Sequence, residues 1–131
     1  MKTIHVSGRR KSAIARATLN PGNGIIRINR LSLDAYQPAI GRMKLREPIL
    51  LAGDAVAKVD IDVNVNGGGP MSQAEAGRLA IARALVRHNK KLELVFLKYD
   101  RHLLVADVRR KEAHKPNRHG KARAKTQKSY R

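Results

Sequence analysis

Hydrophobic and polar positions alternate most regularly between residues 55 and 66. Ala55, Ala57, Val59, Ile61, Val63 and Val65 fall on one face, and Val56, Lys58, Asp60, Asp62, Asn64 and Asn66 on the other. A period of two with one apolar exception predicts a strand that is buried on one side and wet on the other. Shorter β-rich runs at Thr3–Val6, Ala13–Leu19 and Ile25–Ile28 predict further strands, the last two separated by the turn cluster Asn20-Pro21-Gly22-Asn23-Gly24. Helical spacing appears at Arg42–Leu51, bent by Pro48 and followed by Gly53. After Gly67-Gly68-Gly69-Pro70 breaks the long strand, Ser72-Gln73-Ala74-Glu75 has the form of a capping box and predicts a helix over Ala76–His88. Its apolar side is Leu79, Ala80, Ile81, Ala84, Leu85 and Val86, narrow enough to lie close to a sheet. Leu92–Tyr99 and His102–Ala106 predict two more helical pieces. Strands first and helices later make this an α+β, two-layer domain.

The pattern stops near Val108. Residues 109–131 carry ten Lys and Arg against Glu112 alone, a net +9 that is half of the chain's +18. From Lys111 onward the only apolar side chains are Ala113, Ala122, Ala124 and Tyr130, too few to offset the entropy of ordering the segment alone. The expected organisation is a globular domain at 1–108 and an extended basic C-terminal tail at 109–131. With 131 residues the chain has room for one well-buried domain, and its 3% of aromatic residues leaves Ile, Leu, Val and Ala to build the core.

Composition narrows the chemistry. A compact body at +18 repels itself unless a polyanion lies against it, so nucleic acid is the first expectation and an anionic membrane surface the second. No apolar run approaches the ~18 residues of a membrane span, and Met1–Ser7 lacks the apolar stretch of a secretory signal. The absence of cysteine removes disulfides and thiolate metal sites, which suits a reducing cell interior. His5, His88, His102, His114 and His119 share no ligand spacing, so neither metal nor cofactor is expected. Asp60 and Asp62 point the same way along a strand, but solvent exposure explains their alternation better than acid–base chemistry does. The glycine run lacks the Lys-Ser/Thr end of a phosphate loop and reads first as a turn. Bare amides at Gly68 and Gly69 still offer hydrogen bonds to a nucleic-acid phosphate. No enzymatic constellation is present, and no enzyme is expected.

The basic clusters are more specific. Ser7-Gly8-Arg9-Arg10-Lys11-Ser12 places three adjacent cations in an expected loop between strands, Arg16 follows, and Arg42, Lys44, Arg46, Arg78, Arg83 and Arg87 add positive helix surface. One Phe and three Tyr cannot supply a base-stacking platform, and zinc fingers, heptads and a helix-turn-helix are missing. Phosphate-led, shape-led binding to a large folded RNA remains. By analogy with duplex DNA, neutralising about 6–10 phosphates makes affinity fall ~10³–10⁵-fold as salt rises. A free DNA-compacting protein shares the charge but would fractionate with the chromosome.

Three separated motifs carry a family resemblance. Ser7-Gly8-Arg9-Arg10-Lys11-Ser12-Ala13-Ile14-Ala15-Arg16-Ala17 resembles the N-terminal signature of the ninth small-subunit ribosomal protein family. Gly67-Gly68-Gly69 with Gln73–Leu85 resembles its central signature, and Lys121–Arg131 its archaeal and eukaryotic ending. Two departures fall at the tail junction: Val108 after Asp107, where the family often has proline, and His114–His119 in place of a basic-glycine run.

The resemblance implies a four-stranded sheet with helices on one face, of the ribosomal protein S-five domain-two type. It implies assembly on the head (3′ domain) rRNA of the cytoplasmic small ribosomal subunit, beside neighbouring head proteins, and a tail that reaches the peptidyl-site tRNA. The implied rRNA-binding residues are Arg9, Arg10, Lys11, Arg16, Gly68 and Gly69, with Arg109, Arg110, Lys111, Lys115, Arg118, Lys121, Arg123 and Lys125 of the tail. Lys128, Ser129, Tyr130 and Arg131 are the implied tRNA-binding residues.

Overall fold

Two strands that alternate Ala, Val, Ile or Leu with polar residues form the centre of the sheet. In the computed structural model, which describes residues 2–117 and 122, these are β2 (Ala13–Pro21) and β5 (Val59–Asn66). They pair antiparallel with Ala15 opposite Val65, Ala17 opposite Val63 and Leu19 opposite Ile61, so each strand's apolar set falls on the same side. β1 (Ile4–Arg10) is joined to β2 by a two-residue turn at Lys11-Ser12, where Lys11 adopts φ 53°. β3 (Ile26–Ile28) runs parallel to β5, and a tight turn at Asn29-Arg30, both with positive φ, returns the chain as β4 (Leu31–Ser32). The order is β1-β2-β5-β3-β4, a mixed five-stranded sheet rather than the expected four-stranded one. The extra strand is two residues long, below what hydrophobic alternation can mark.

Helices cover one face of this sheet. α1 (Ala39–Ala52) begins three residues before the expected start and contains Pro48. α2 (Pro70–His88) lies across β1, β2 and β5, and the short α3 (Leu92–Tyr99) follows. Alanine and glycine set the spacing. A Cβ on Gly8 of β1 would stand 2.5 Å from the Ala76 carbonyl oxygen of α2, and one on Gly77 of α2 would stand 2.8 Å from Leu45 Cδ2 of α1. α2 is therefore buried widely, at Ala74, Ala76 and Ala82 as well as at Leu79, Ala80, Ile81, Ala84 and Leu85, while Val86 is only partly covered.

Three local expectations are corrected. Residues Gly53–Lys58 form a 3₁₀ segment, not strand; Val56, the exception to the alternation, is buried there, and the strand starts at Val59. Ser72 does not cap α2, because the helix starts at Pro70 with Gly69 as its flanking residue. Proline is at home in a helix's first turn, where its missing N–H costs nothing. Gln73 instead donates from Nε2 to the Gly67 carbonyl (3.0 Å), and Glu75 faces other elements. The expected helix at His102–Ala106 is a single 3₁₀ turn, Arg101–Leu103, with the Asp100 carboxylate accepting from the His102 amide at 2.9 Å.

Candidate nucleic-acid interface

The sheet face away from the helices is open. Its residues form cross-strand rows: His5–Thr18–Asp62–Arg27, Ser7–Arg16–Asn64 and Arg9–Ile14–Asn66. Arg9, Arg16 and Arg27 are exposed on this face; Arg9 and Arg16 stand beside uncharged neighbours in their rows, whereas Arg27 lies opposite the Asp62 carboxylate. The second carboxylate of the alternating strand, Asp60, is turned to a structural task. Its Oδ1 accepts from the amides of Asn23 (2.9 Å) and Ile25 (3.0 Å), closing the β2–β3 turn. The Ile25 amide bond first, and the neighbouring turn amides and Arg27 with it, hold this carboxyl below its ordinary value. The alternation reflected more than solvent exposure at Asp60.

Ser7 to Arg10 belong to β1, so the expected cationic loop is a strand ending in a hairpin tip. Period two then divides neighbours. Arg9 faces the open side and donates from Nε to the Lys11 carbonyl (3.1 Å), and Lys11 is exposed at the tip. Arg10 turns to the helix side with only 15% of its side chain exposed, its Nε 2.7 Å from Glu75 Oε2 and Nη2 3.7 Å from Asp107 Oδ2. Its Nη1 is buried with no hydrogen-bond partner among the described residues.

Arg10 opens onto a charged cleft of about 350 Å³ between β1, α1, α2 and the segment that leads into the tail. Arg9, Arg10, Lys44, Arg78 and Arg109 line it against Glu47, Glu75, Asp100 and Asp107. Lys44 Nζ lies 2.9 Å from Glu75 Oε1, and Arg78 joins Glu47 (2.6 Å) to Asp100 (3.1 Å). Burial works against the Glu75 carboxylate, but hydrogen bonds from Lys44 and Arg10 outweigh it and keep its pKa below the ordinary value. Asp107 is held far below the usual carboxylate range, first by the Arg109 side chain (2.7 Å) and then by the Arg109 amide (2.9 Å). Lys44, Arg46, Arg78 and Arg42 are thus committed to protein groups, with Arg46 on Asp34 and Arg42 on the Asp34 carbonyl (3.1 Å). The positive helix surface expected from them is largely neutralised.

Arg83 and Arg87 differ. Arg83 donates to the Leu104 carbonyl (3.1 Å) and the Ser7 carbonyl (2.9 Å), and Arg87 to the His5 carbonyl at 3.5 Å. No ion pair joins either to a carboxylate among the described residues.

The glycine run is explained at two positions. Gly67 and Gly68 have φ of +78° and +67°, and Cβ atoms there would meet the Ser12 carbonyl oxygen at 2.7 Å and the Ala13 amide at 3.0 Å. The run tucks the β5–α2 connection under the first hairpin. Gly69 has open space beside its Cα, and Gly68 and Gly69 are both exposed beside the Lys11 tip's end of the sheet. Of the tail, Arg110, Lys111 and Lys115 are exposed without regular structure, and Arg109 is exposed apart from its pairing with Asp107. Arg118, Lys121, Arg123, Lys125, Lys128, Ser129, Tyr130 and Arg131 lie outside the described residues. Among the described residues no group of His, Asp and Glu is arranged to hold a metal, and no helix is long and apolar enough to cross a membrane.

Arg9 and Arg16 on the open face and Lys11 at the hairpin tip are exposed cations at one end of the sheet, of the kind that suit a polyanion. Comparison with known proteins gives the family. The family model "Ribosomal protein S9/S16" matches residues 8–131. A protein of Methanococcus maripaludis named "Small ribosomal subunit protein uS9" is 51% identical, with both chains covered over their whole length. One of the same name from Methanococcus vannielii is 49% identical over the same extent.

Proposed function

The chain belongs to the ribosomal protein S9/S16 family, and on that premise we propose that it is a non-enzymatic structural constituent of the cytoplasmic small ribosomal subunit. Its body docks on the head (3′ domain) rRNA through phosphates. Its tail reaches the peptidyl-site tRNA, and the neighbouring head proteins complete its surroundings. The observation that supports this most is the separation of its cations into two sets. Arg10, Lys44, Arg78 and Arg109 are matched with carboxylates around the tail root, whereas Arg9, Lys11 and Arg16 face outward at one end of the sheet.

The paired set gives the tail a fixed point of departure. Asp107 binds Arg109 on one side and Arg10 on the other, so the chain leaves the body from a defined place. In this reading Arg10 and Arg109 orient the tail root, while Arg9, Lys11, Arg16 and the Gly68 and Gly69 amides approach rRNA phosphates. Arg110, Lys111, Lys115, Arg118, Lys121, Arg123 and Lys125 continue that contact, and Lys128, Ser129, Tyr130 and Arg131 meet tRNA. A guanidinium at the terminus suits this task because it stays charged and can pair with phosphate bidentately. Sedimentation of cell extract tests the assignment: the chain should travel with the small subunit and leave it only at high salt. Its recovery wholly in the soluble fraction would refute the ribosomal role.

A further inference from the structure

The outer edge of β1 is occupied in an uncommon way. Arg10 and Ala13 close the two-residue hairpin, so Ile4, Val6, Gly8 and Arg10 pair toward β2, and the backbone groups of His5, Ser7 and Arg9 point outward. The outward carbonyls of Ser7 and His5 accept from Arg83 and Arg87 of α2. That arrangement blocks the edge against another strand, the usual hazard of an uncovered edge. It also fixes two guanidinium groups beside outward amides. Between them runs a groove of about 670 Å³, into which Arg16 of β2 also reaches, with Glu93 its sole carboxylate among the lining residues.

We propose that this groove is a second phosphate-binding site for the rRNA backbone, with Arg16, Arg83 and Arg87 as its cations. Three cations against one carboxylate leave the groove positive, and the outward amides supply neutral donors of the kind that phosphate oxygens accept. Guanidinium groups already held by carbonyls lose little side-chain freedom when a phosphate arrives. Burial, and then repulsion from Arg110 and Arg87, disfavours the charge on Arg83. The groove continues from the open sheet face around its edge, so one RNA strand can follow both. A protein partner is less favoured, because the lining offers only Val6, Val86 and Leu104 as apolar contacts.

This inference rests on the rRNA-binding reading, and the test separates the two. The full chain is titrated against a transcript of the small-subunit rRNA 3′ domain over a range of KCl, and the slope of log affinity against log salt is measured. Arg16→Gln breaks no hydrogen bond of the fold among the described residues and should lower the slope by about one. Arg16→Gln with Arg87→Gln should lower it by about two, while the corresponding lysine variants and Lys98→Gln on α3 keep the parent slope. Because Arg16 also belongs to the open-face set, a wild-type chain that binds the transcript, with a double variant whose slope equals that of Arg16→Gln alone, overturns the groove site. A slope unchanged on naked RNA with reduced incorporation into subunits overturns it too, assigning the groove to a protein. Failure of the wild-type chain to bind the transcript overturns the rRNA reading itself.

Discussion

Arg9 and Arg10 are chemically identical neighbours with opposite surroundings, and the difference comes from the pleat of β1. Arg10 is held by Glu75 and Asp107, which makes stability depend on acid. Glu75, Asp100 and Asp107 all have pKa values below their ordinary 4.5, 3.8 and 3.8 in the folded chain. Below those ordinary values the unfolded chain binds more protons than the folded one, so their contribution is complete above pH ~4.5 and is lost as pH falls through the lowered values. Urea unfolding at pH 7, 4 and 3 should show a steepening loss, and Glu75→Gln should lower stability at pH 7 while flattening the dependence below pH 4.5. The glycine run gives a second residue-scale contrast. Gly67→Ala should cost roughly 1–2 kcal/mol for its positive φ, with more from the contact with Ser12, whereas Gly69→Ala should stay within about 0.5 kcal/mol. Thermal melts of the two variants check this.

At the level of elements, close approach decides the packing. Gly8 lets β1 and α2 touch backbone to backbone, so Gly8→Ala should destabilise the body by about 1–3 kcal/mol, measurable by urea unfolding. The same element shows how far pattern reading extends. β2, β5 and the apolar side of α2 were legible because their alternation or helical spacing is strong. The 3₁₀ segment at Gly53–Lys58 was not, since Ala55, Ala57 and Lys58 keep the phase of the strand that follows and only Val56 breaks it. The capping box misled because local sequence at Ser72–Glu75 satisfies the motif, while Pro70 had already started the helix and Glu75 was drawn to Arg10 and Lys44 across the fold. Long-range ion pairs of this kind leave no periodic trace.

For the whole molecule, net charge identified the class of partner, but it did not say which cations are available. Arg42, Lys44, Arg46 and Arg78 read as positive surface in one dimension and prove to be bound to Asp34, Glu75, Glu47 and Asp100. Arg83 and Arg87, indistinguishable from Lys44, Arg46 and Arg78 by sequence, form no ion pair among the described residues; backbone carbonyls of His5, Ser7 and Leu104 hold them, as the Asp34 carbonyl holds Arg42. Glu47, Glu75, Asp100 and Asp107 of the body line the cleft at the tail root, while Arg9, Lys11 and Arg16 stay exposed at the sheet margin. Loosening that brace should be felt at the far end of the tail: Asp107→Asn should weaken peptidyl-site tRNA binding by assembled subunits while the chain still incorporates, a comparison made by filter binding. Body and tail thus carry separate contacts, which the affinity of peptidyl-site tRNA for subunits assembled with or without residues 128–131 can separate. Truncation should weaken tRNA binding by the equivalent of about 1–3 kcal/mol with assembly intact; equal affinity in the two kinds of subunit would mean that the tail tip makes no such contact.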